Sequence, residues 1–191
     1  MRPLLAALFL AAALGLTGCT DDDKPSGSPS PTESESVEAS PSETPVSELP
    51  PAADACKVLD PAAVGQVLGV EVERVFAQGG CRYASPDDPE TASLGISQGE
   101  LVAIGGLDGA KAGIGTVVEG EVEDVPGVGD GAFVVVGPTL GGTTPTGGGA
   151  VALGSSLVQV TVIPGPGATD EDVRTTTVGA LTLIAEQAGR G

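Results

Sequence analysis

The composition of the chain changes at about residue 54, and that change limits what can fold. Residues 20–53 run from Asp21-Asp22-Asp23 through a Ser/Pro/Glu/Thr-rich stretch to Pro50-Pro51, with Val37, Val46 and Leu49 almost the only large apolar side chains. A segment this poor in apolar surface cannot offset the entropy of ordering it, so it reads as a disordered acidic tether. A flexible chain of that length averages about 30 Å end to end, and more where proline and carboxylate repulsion extend it. Ser and Thr beside Pro also make it a compositional candidate for O-glycosylation. From Asp54 to Gly191, Val, Ala, Leu and Ile return and Gly becomes frequent. That is enough chain for one domain with a core of its own, and it contains no repeat of fixed period.

Upstream of the tether, Arg2 precedes the apolar run Leu4–Leu14, and small residues lead to Leu16-Thr17-Gly18-Cys19. A basic start, a short apolar stretch and small residues at the cut form the pattern of an export signal, here spanning 1–18. The run is shorter than the ~20 residues that cross a bilayer. Leu-Thr-Gly-Cys reads as a lipobox, so Cys19 is the expected site of a diacylglyceryl thioether and the mature N-terminus. Two acyl chains suffice for stable anchoring. The expected location is therefore the extracytoplasmic face of the cell membrane, with the membrane as a partner through the lipid.

With Cys19 assigned to lipid, Cys56 and Cys81 remain. An even pair in an exported domain points to a disulfide. It closes a loop of about 25 residues, worth about 3 kcal/mol in the chain-entropy model. Two free thiols are the alternative. A metal site fits less well, because the chain has no histidine and two thiolates fall short of the usual four structural zinc ligands.

Local signals predict an α+β domain. Asp60 as cap, Pro61 at the first helical position and Gly69 at the exit bound a short helix. Val70–Phe76 and Cys81–Tyr83 read as strands about Gly79-Gly80, and the alternation at Leu94 and Ile96 as another. Leu101–Ile104 is expected to be a strand and Asp108–Val118 a weak, glycine-interrupted helix. A turn over Val125–Ala132 leads to a strand at Phe133–Val136. Gly137-Pro138 is expected to end that strand and open a long Gly/Thr/Pro loop reaching Gly149. Ala150–Leu153 and Leu157–Ile163 pair about Gly154-Ser155-Ser156. Thr169 and Asp172 form a capping box for a final helix whose Val173, Thr177, Leu181, Ile184 and Ala188 share one face. Strands in hairpin order between helices imply an antiparallel sheet, with a short N-terminal and a longer C-terminal helix on one face.

The formal net charge of −18 argues against phosphate backbones and anionic lipid surfaces, so nucleic acid is excluded as a partner. Without histidine there is no Ser-His-Asp or Cys-His nucleophile, and the commonest general base is missing. Lys57 and Lys111, the domain's lysines, sit in no Ser-x-x-Lys motif. Val128-Gly129-Asp130-Gly131 leads into a strand, not a helix, and reads as a tight turn in which Asp130 accepts backbone N–H bonds rather than as a dinucleotide fingerprint. Calcium is the best metal candidate, through Asp87, Asp88 and Glu90 or through Glu121, Glu123, Asp124 and Asp130, but neither set has the spacing of a known loop. No metal and no cofactor is expected.

Several of these residues occur together in a known family. The lipobox, the acidic tether, Cys56 before Leu59-Asp60-Pro61 and Leu68-Gly69, Gly80-Cys81-Arg82-Tyr83 and Val128-Gly129-Asp130-Gly131-Ala132 resemble the actinobacterial cell-envelope lipoproteins called domain of unknown function 3558. The similarity covers nearly all of the folded part. It implies an envelope location and a disulfide between Cys56 and Cys81, and it carries no catalytic residue. The functional expectation is a non-catalytic interaction module whose contact with an envelope protein is formed by the turn Val128–Gly131 and the acidic segment Glu119–Asp130. The alternative is a carrier or sensor holding a lipid or small apolar ligand in a pocket lined by Leu94, Ile96, Val134, Val160 and Leu181.

Overall fold

The computed structural model describes residues 50–190. The export signal, Cys19 and the tether as far as Leu49 lie outside the described residues. Four helices and seven strands follow in the order α1 (Ala55–Val58), α2 (Pro61–Leu68), β1 (Glu73–Ala77), β2 (Gly80–Ala84), β3 (Ser93–Glu100), α3 (Gly106–Gly115), β4 (Val122–Asp124), β5 (Gly131–Pro138), β6 (Pro145–Leu153), β7 (Ser156–Ile163) and α4 (Asp170–Ala188). Among the described residues no helix is long and apolar enough to cross a membrane.

Helix ends follow the capping residues. The Asp60 carboxylate accepts from the Ala62 N–H at 3.2 Å, Pro61 takes the first helical position, and Gly69 leaves α2 at φ 72°. Thr169 and Asp172 close the reciprocal box at the start of α4: Asp172 Oδ2 accepts from the Thr169 N–H at 3.0 Å and Thr169 Oγ1 accepts from the Asp172 N–H at 3.2 Å. Those bonds to its charged form hold the Asp172 carboxyl below the usual carboxylate range.

The strands form one antiparallel sheet in the order β1-β2-β3-β7-β6-β5-β4. The hairpins β1–β2–β3 and β4–β5–β6–β7 are joined where β7 returns beside β3, with Leu94 opposite Val162 and Ile96 opposite Val160. Opposed residues share a face, and alternation then assigns both sides of the sheet. One side carries Tyr83, Leu94, Ile96, Val158, Val160 and Val151 against α1, α2 and α4, in a core that also holds Leu59, Val64, Leu181 and Ile184. The other side carries Phe133, Val135, Ala150, Ala152 and Leu157, covered by α3 through Ala110 and Ile114.

The two layers of helix converge on β6. A Cβ on Gly147 would collide with Thr177 Oγ1 of α4, and one on Gly149 would lie 2.7 Å from the Phe133 carbonyl oxygen and 3.1 Å from Leu181 Cδ1. On the opposite face a Cβ on Gly148 would lie 2.7 Å from Ile114 Cγ2 of α3. Three consecutive glycines therefore let helices approach the same strand from both sides, a known role for glycine within a sheet.

Several elements differ from the sequence expectation, among them the short strand β4, which has no counterpart in it. The long loop to Gly149 shrinks to residues 139–144, because β5 runs to Pro138 and β6 begins at Pro145, the two prolines facing each other at the end of the ladder. Leu101–Ile104 is a turn, not a strand. Its backbone bonds close locally, Ile104 N–H to Glu100 O and Gly106 N–H to Leu101 O, and Gly105 and Gly106 both take positive φ. The one-turn helix α1 is too short to show a periodic pattern in the sequence, and is capped by Asp54 Oδ1, which accepts from the Cys56 N–H at 3.0 Å. Residues 50–53, grouped with the tether by composition, lie on the domain: the Ser155 N–H donates to Pro50 O, Ala53 N–H donates to Ala188 O, and Pro51 bridges Gly154.

Candidate functional site

The disulfide is present. Cys56 and Cys81 are bonded with Cα atoms 5.7 Å apart, and both side chains are buried. The bridge ties α1 to β2. Gln98 of β3 fastens the same region, accepting from the Ala55 N–H at 2.9 Å with Oε1 and donating from Nε2 to the Ala52 carbonyl at 3.5 Å. Tyr83 lies beneath α1, its hydroxyl 3.4 Å from Leu59 O, and burial pushes the phenol pKa up.

The turn Val128–Gly131 sits at the end of the sheet where the described chain begins. Val128 turns inward and belongs to the core. Gly129 has φ 57°, and a Cβ there would lie 2.5 Å from Val151 Cγ2 and 2.6 Å from the Ala152 carbonyl, so neither the conformation nor the space admits a side chain. Asp130 spans to the β6–β7 turn. Its N–H donates to Ala152 O at 2.9 Å, and its Oδ2 accepts from the Gly154 N–H at 2.7 Å. Gly131 opens β5, where a Cβ would press on Leu107 Cδ1 at 2.8 Å.

The outer side of this turn is one wall of an open cleft of about 440 Å³. Pro50 and Pro51, Leu153 and Gly154, and the last turn of α4 with Ala185, Glu186 and Arg190 supply the others. Asp130, Glu186 and Arg190 are its ionisable groups, and the remaining lining is proline, glycine and aliphatic apart from Thr182. A second open cleft of about 830 Å³ shares the Pro50-Pro51 wall and is bordered by Gln98, Glu100, Ser155 and the exposed Val102. Apart from Val128–Asp130, the sequence singled out none of the first cleft's walls. Pro50-Pro51 was the one available signal, as the end of the tether, while the α4 terminus and the β6–β7 turn reach the site only through folding.

The acidic segment Glu119–Asp130 contributes β4 and two clamps. Adjacent residues of a strand point to opposite faces, and here each finds a helix. Glu123 pairs with Arg174 of α4 at 2.7 Å, and Asp124 pairs with Lys111 of α3 at 2.7 Å. Each carboxylate raises the pKa of its partner through the hydrogen bond between them. Asp88 serves its own turn, accepting from the Glu90 N–H at 3.0 Å. Of the acids considered as calcium ligands, Asp88, Glu123, Asp124 and Asp130 are thus engaged in separate contacts, and among the described residues no three His, Cys, Asp or Glu side chains gather to hold a metal.

The residues expected to line an apolar pocket are core. Leu94, Ile96, Val134, Val160 and Leu181 are each at most 4% exposed, and all but Val134 belong to the packed cluster between sheet and helices. No family model matches the chain, and no curated protein matches it.

Proposed function

We propose that the protein is a lipid-anchored member of the actinobacterial envelope lipoproteins it resembles, held at the extracytoplasmic face of the membrane through Cys19, and that its domain is a non-catalytic protein-interaction module. One observation carries this reading: the cleft beside Pro50-Pro51 is an open, mixed surface on a domain whose interior is filled. Its Asp130 is engaged by a backbone N–H, so the floor is rigid, while Glu186 and Arg190 stand at the rim. Open clefts that mix apolar surface with charged groups suit a peptide or a protein loop. A carrier encloses most of its ligand, and Leu94, Ile96, Val160 and Leu181, the residues best placed to do so, instead fill the core against one another.

The test is site-specific photocrosslinking in intact producing cells, with the probe at Glu186 in the cleft and at Glu90 as a distant control. A discrete adduct from position 186, absent from position 90 and lost on Arg190→Glu, is expected. Equal labelling from both positions, together with a small apolar molecule retained in native mass spectrometry, would replace this reading with the carrier. Cys19→Ala is expected to release the chain from the membrane fraction, and continued membrane retention would remove the anchor from the proposal.

A further inference from the structure

The β1 edge of the sheet carries exposed apolar groups, and its acids are matched by arginines. Val75 and Phe76 are 60% and 61% exposed, and β1 pairs only with β2. The outward N–H and C=O groups of such a strand are a template for another strand. Arg74 has no carboxylate partner among the described residues. Its guanidinium donates to Leu59 O at 3.2 Å and lies 5.2 Å from the centre of the Phe76 ring. On β2, opposite Val75, Arg82 donates to Ser93 Oγ at 3.1 Å and is likewise free of carboxylate partners among the described residues. Glu73 is the one acid on the strand, with Glu71 just before it.

We infer that β1 is a self-association edge, on which a second copy of this chain adds its own β1 antiparallel about a two-fold axis at Val75. The choice of occupant rests on charge and register. Two chains of net charge −18 repel over most of their surfaces, and they meet with least repulsion at this edge, where Arg74 and Arg82 balance Glu71 and Glu73. A two-fold at Val75 places Val75 against its copy, Arg74 against Phe76 and Glu73 against Ala77. No like charges then stand opposite each other, an arrangement that would otherwise destabilise the pair. The cation–π contact between Arg74 and Phe76 is repeated across the interface. Joining the two sheets gives one continuous sheet and removes both exposed β1 edges. The contact is isologous and closes at two copies. A five-residue strand buries less than the roughly 1,000 Å² expected of a stable interface, so the dimer is weak and concentration-dependent. The inference goes beyond the cleft reading and stands or falls separately from it.

The test uses the full chain carrying Cys19→Ser, so that an introduced thiol is the only free one beside the buried disulfide. Val75→Cys is expected to form a disulfide-linked dimer on mild oxidation. Glu73→Cys and Ala77→Cys are each expected to stay monomeric alone and to crosslink when mixed, because 73 meets 77 across the axis. In sedimentation velocity, Phe76→Lys is expected to abolish the concentration-dependent dimer while leaving the thermal midpoint unchanged, since residue 76 is exposed. Crosslinking that does not follow this register, or a chain that stays monomeric up to millimolar concentration, would overturn the inference.

Discussion

The two edges of the sheet are fastened by different chemistry. At the β1 edge the hairpin is tied covalently, through Cys81 of β2 to Cys56 of α1, and the edge strand itself carries no ion pair among the described residues. At the β4 edge a three-residue strand is held by Glu123–Arg174 and Asp124–Lys111, one clamp to each layer of helices, and by the Glu119 N–H to Pro138 O bond beyond its start. An edge dressed in carboxylates discourages further strand addition, whereas an edge bearing Val75 and Phe76 invites it. The comparison also separates the conditions each side responds to. The β1 side should answer to reductant, and the β4 side to acid and salt.

Removing the disulfide is the largest expected effect. Cys56→Ser with Cys81→Ser should lower unfolding stability by about 3 kcal/mol, read by chemical denaturation. The loss should appear first as faster hydrogen exchange in β1, β2 and α1, and an equal increase in β4 would erase the contrast between edges. Next comes Gly120→Ala, just ahead of β4. A Cβ there would stand 2.9 Å from the Val136 carbonyl carbon and 3.1 Å from Val135 Cγ1, and a collision with backbone of this kind costs about 1–3 kcal/mol. Unchanged stability would mean that β4 is loosely held.

Acid should act on the end of α4 that anchors the β4 clamp. The Asp172 carboxyl is held below its ordinary value, first by the Thr169 hydroxyl and then by the Thr169 N–H. A carboxylate with a depressed folded-state pKa contributes stability that is fully present above its unfolded value, near 4, and is lost as pH falls through the folded value. Thermal midpoints should therefore fall below about pH 4 more steeply in the native chain than in Asp172→Asn. Matching slopes would show that the box does not titrate. The smallest effects belong to Lys111→Ala and Arg174→Ala, exposed pairs of the kind that contribute little and fade in salt. Their destabilisation should vanish at about 1 M salt, while the reduced-disulfide deficit persists.

Residues whose role is settled within a few neighbours were legible in the chain. Asp60, Pro61 and Gly69 bound α2, Thr169 and Asp172 start α4, and the apolar stripe from Val173 to Ala188 faces the sheet, because caps and 3.6-residue spacing act locally. The Val128–Gly131 turn was also visible as a turn. Its partners were not: Asp130 bonds to Gly154, 24 positions away, and the cleft is completed by Pro50 and Arg190 from the two ends of the described chain. The glycines of β6 mark the clearest limit. By local rules Gly147-Gly148-Gly149 reads as loop, since glycine weakens a strand, yet two helices press on that strand from opposite faces and leave no room for anything larger.

Composition and short-range pattern alone therefore established an α+β domain, its cysteine pair, the limits of its clearest helices and the lack of any histidine for catalysis. Those features depend on conformational preference and on burial summed along the chain. The strand identity of residues 145–149, the seating of Pro50–Ala53 on the domain, the opposite character of the two sheet edges and the cleft itself were decided by tertiary structure. Each rests on contacts between residues far apart in sequence, where close approach and hydrogen-bond partnership outweigh local preference.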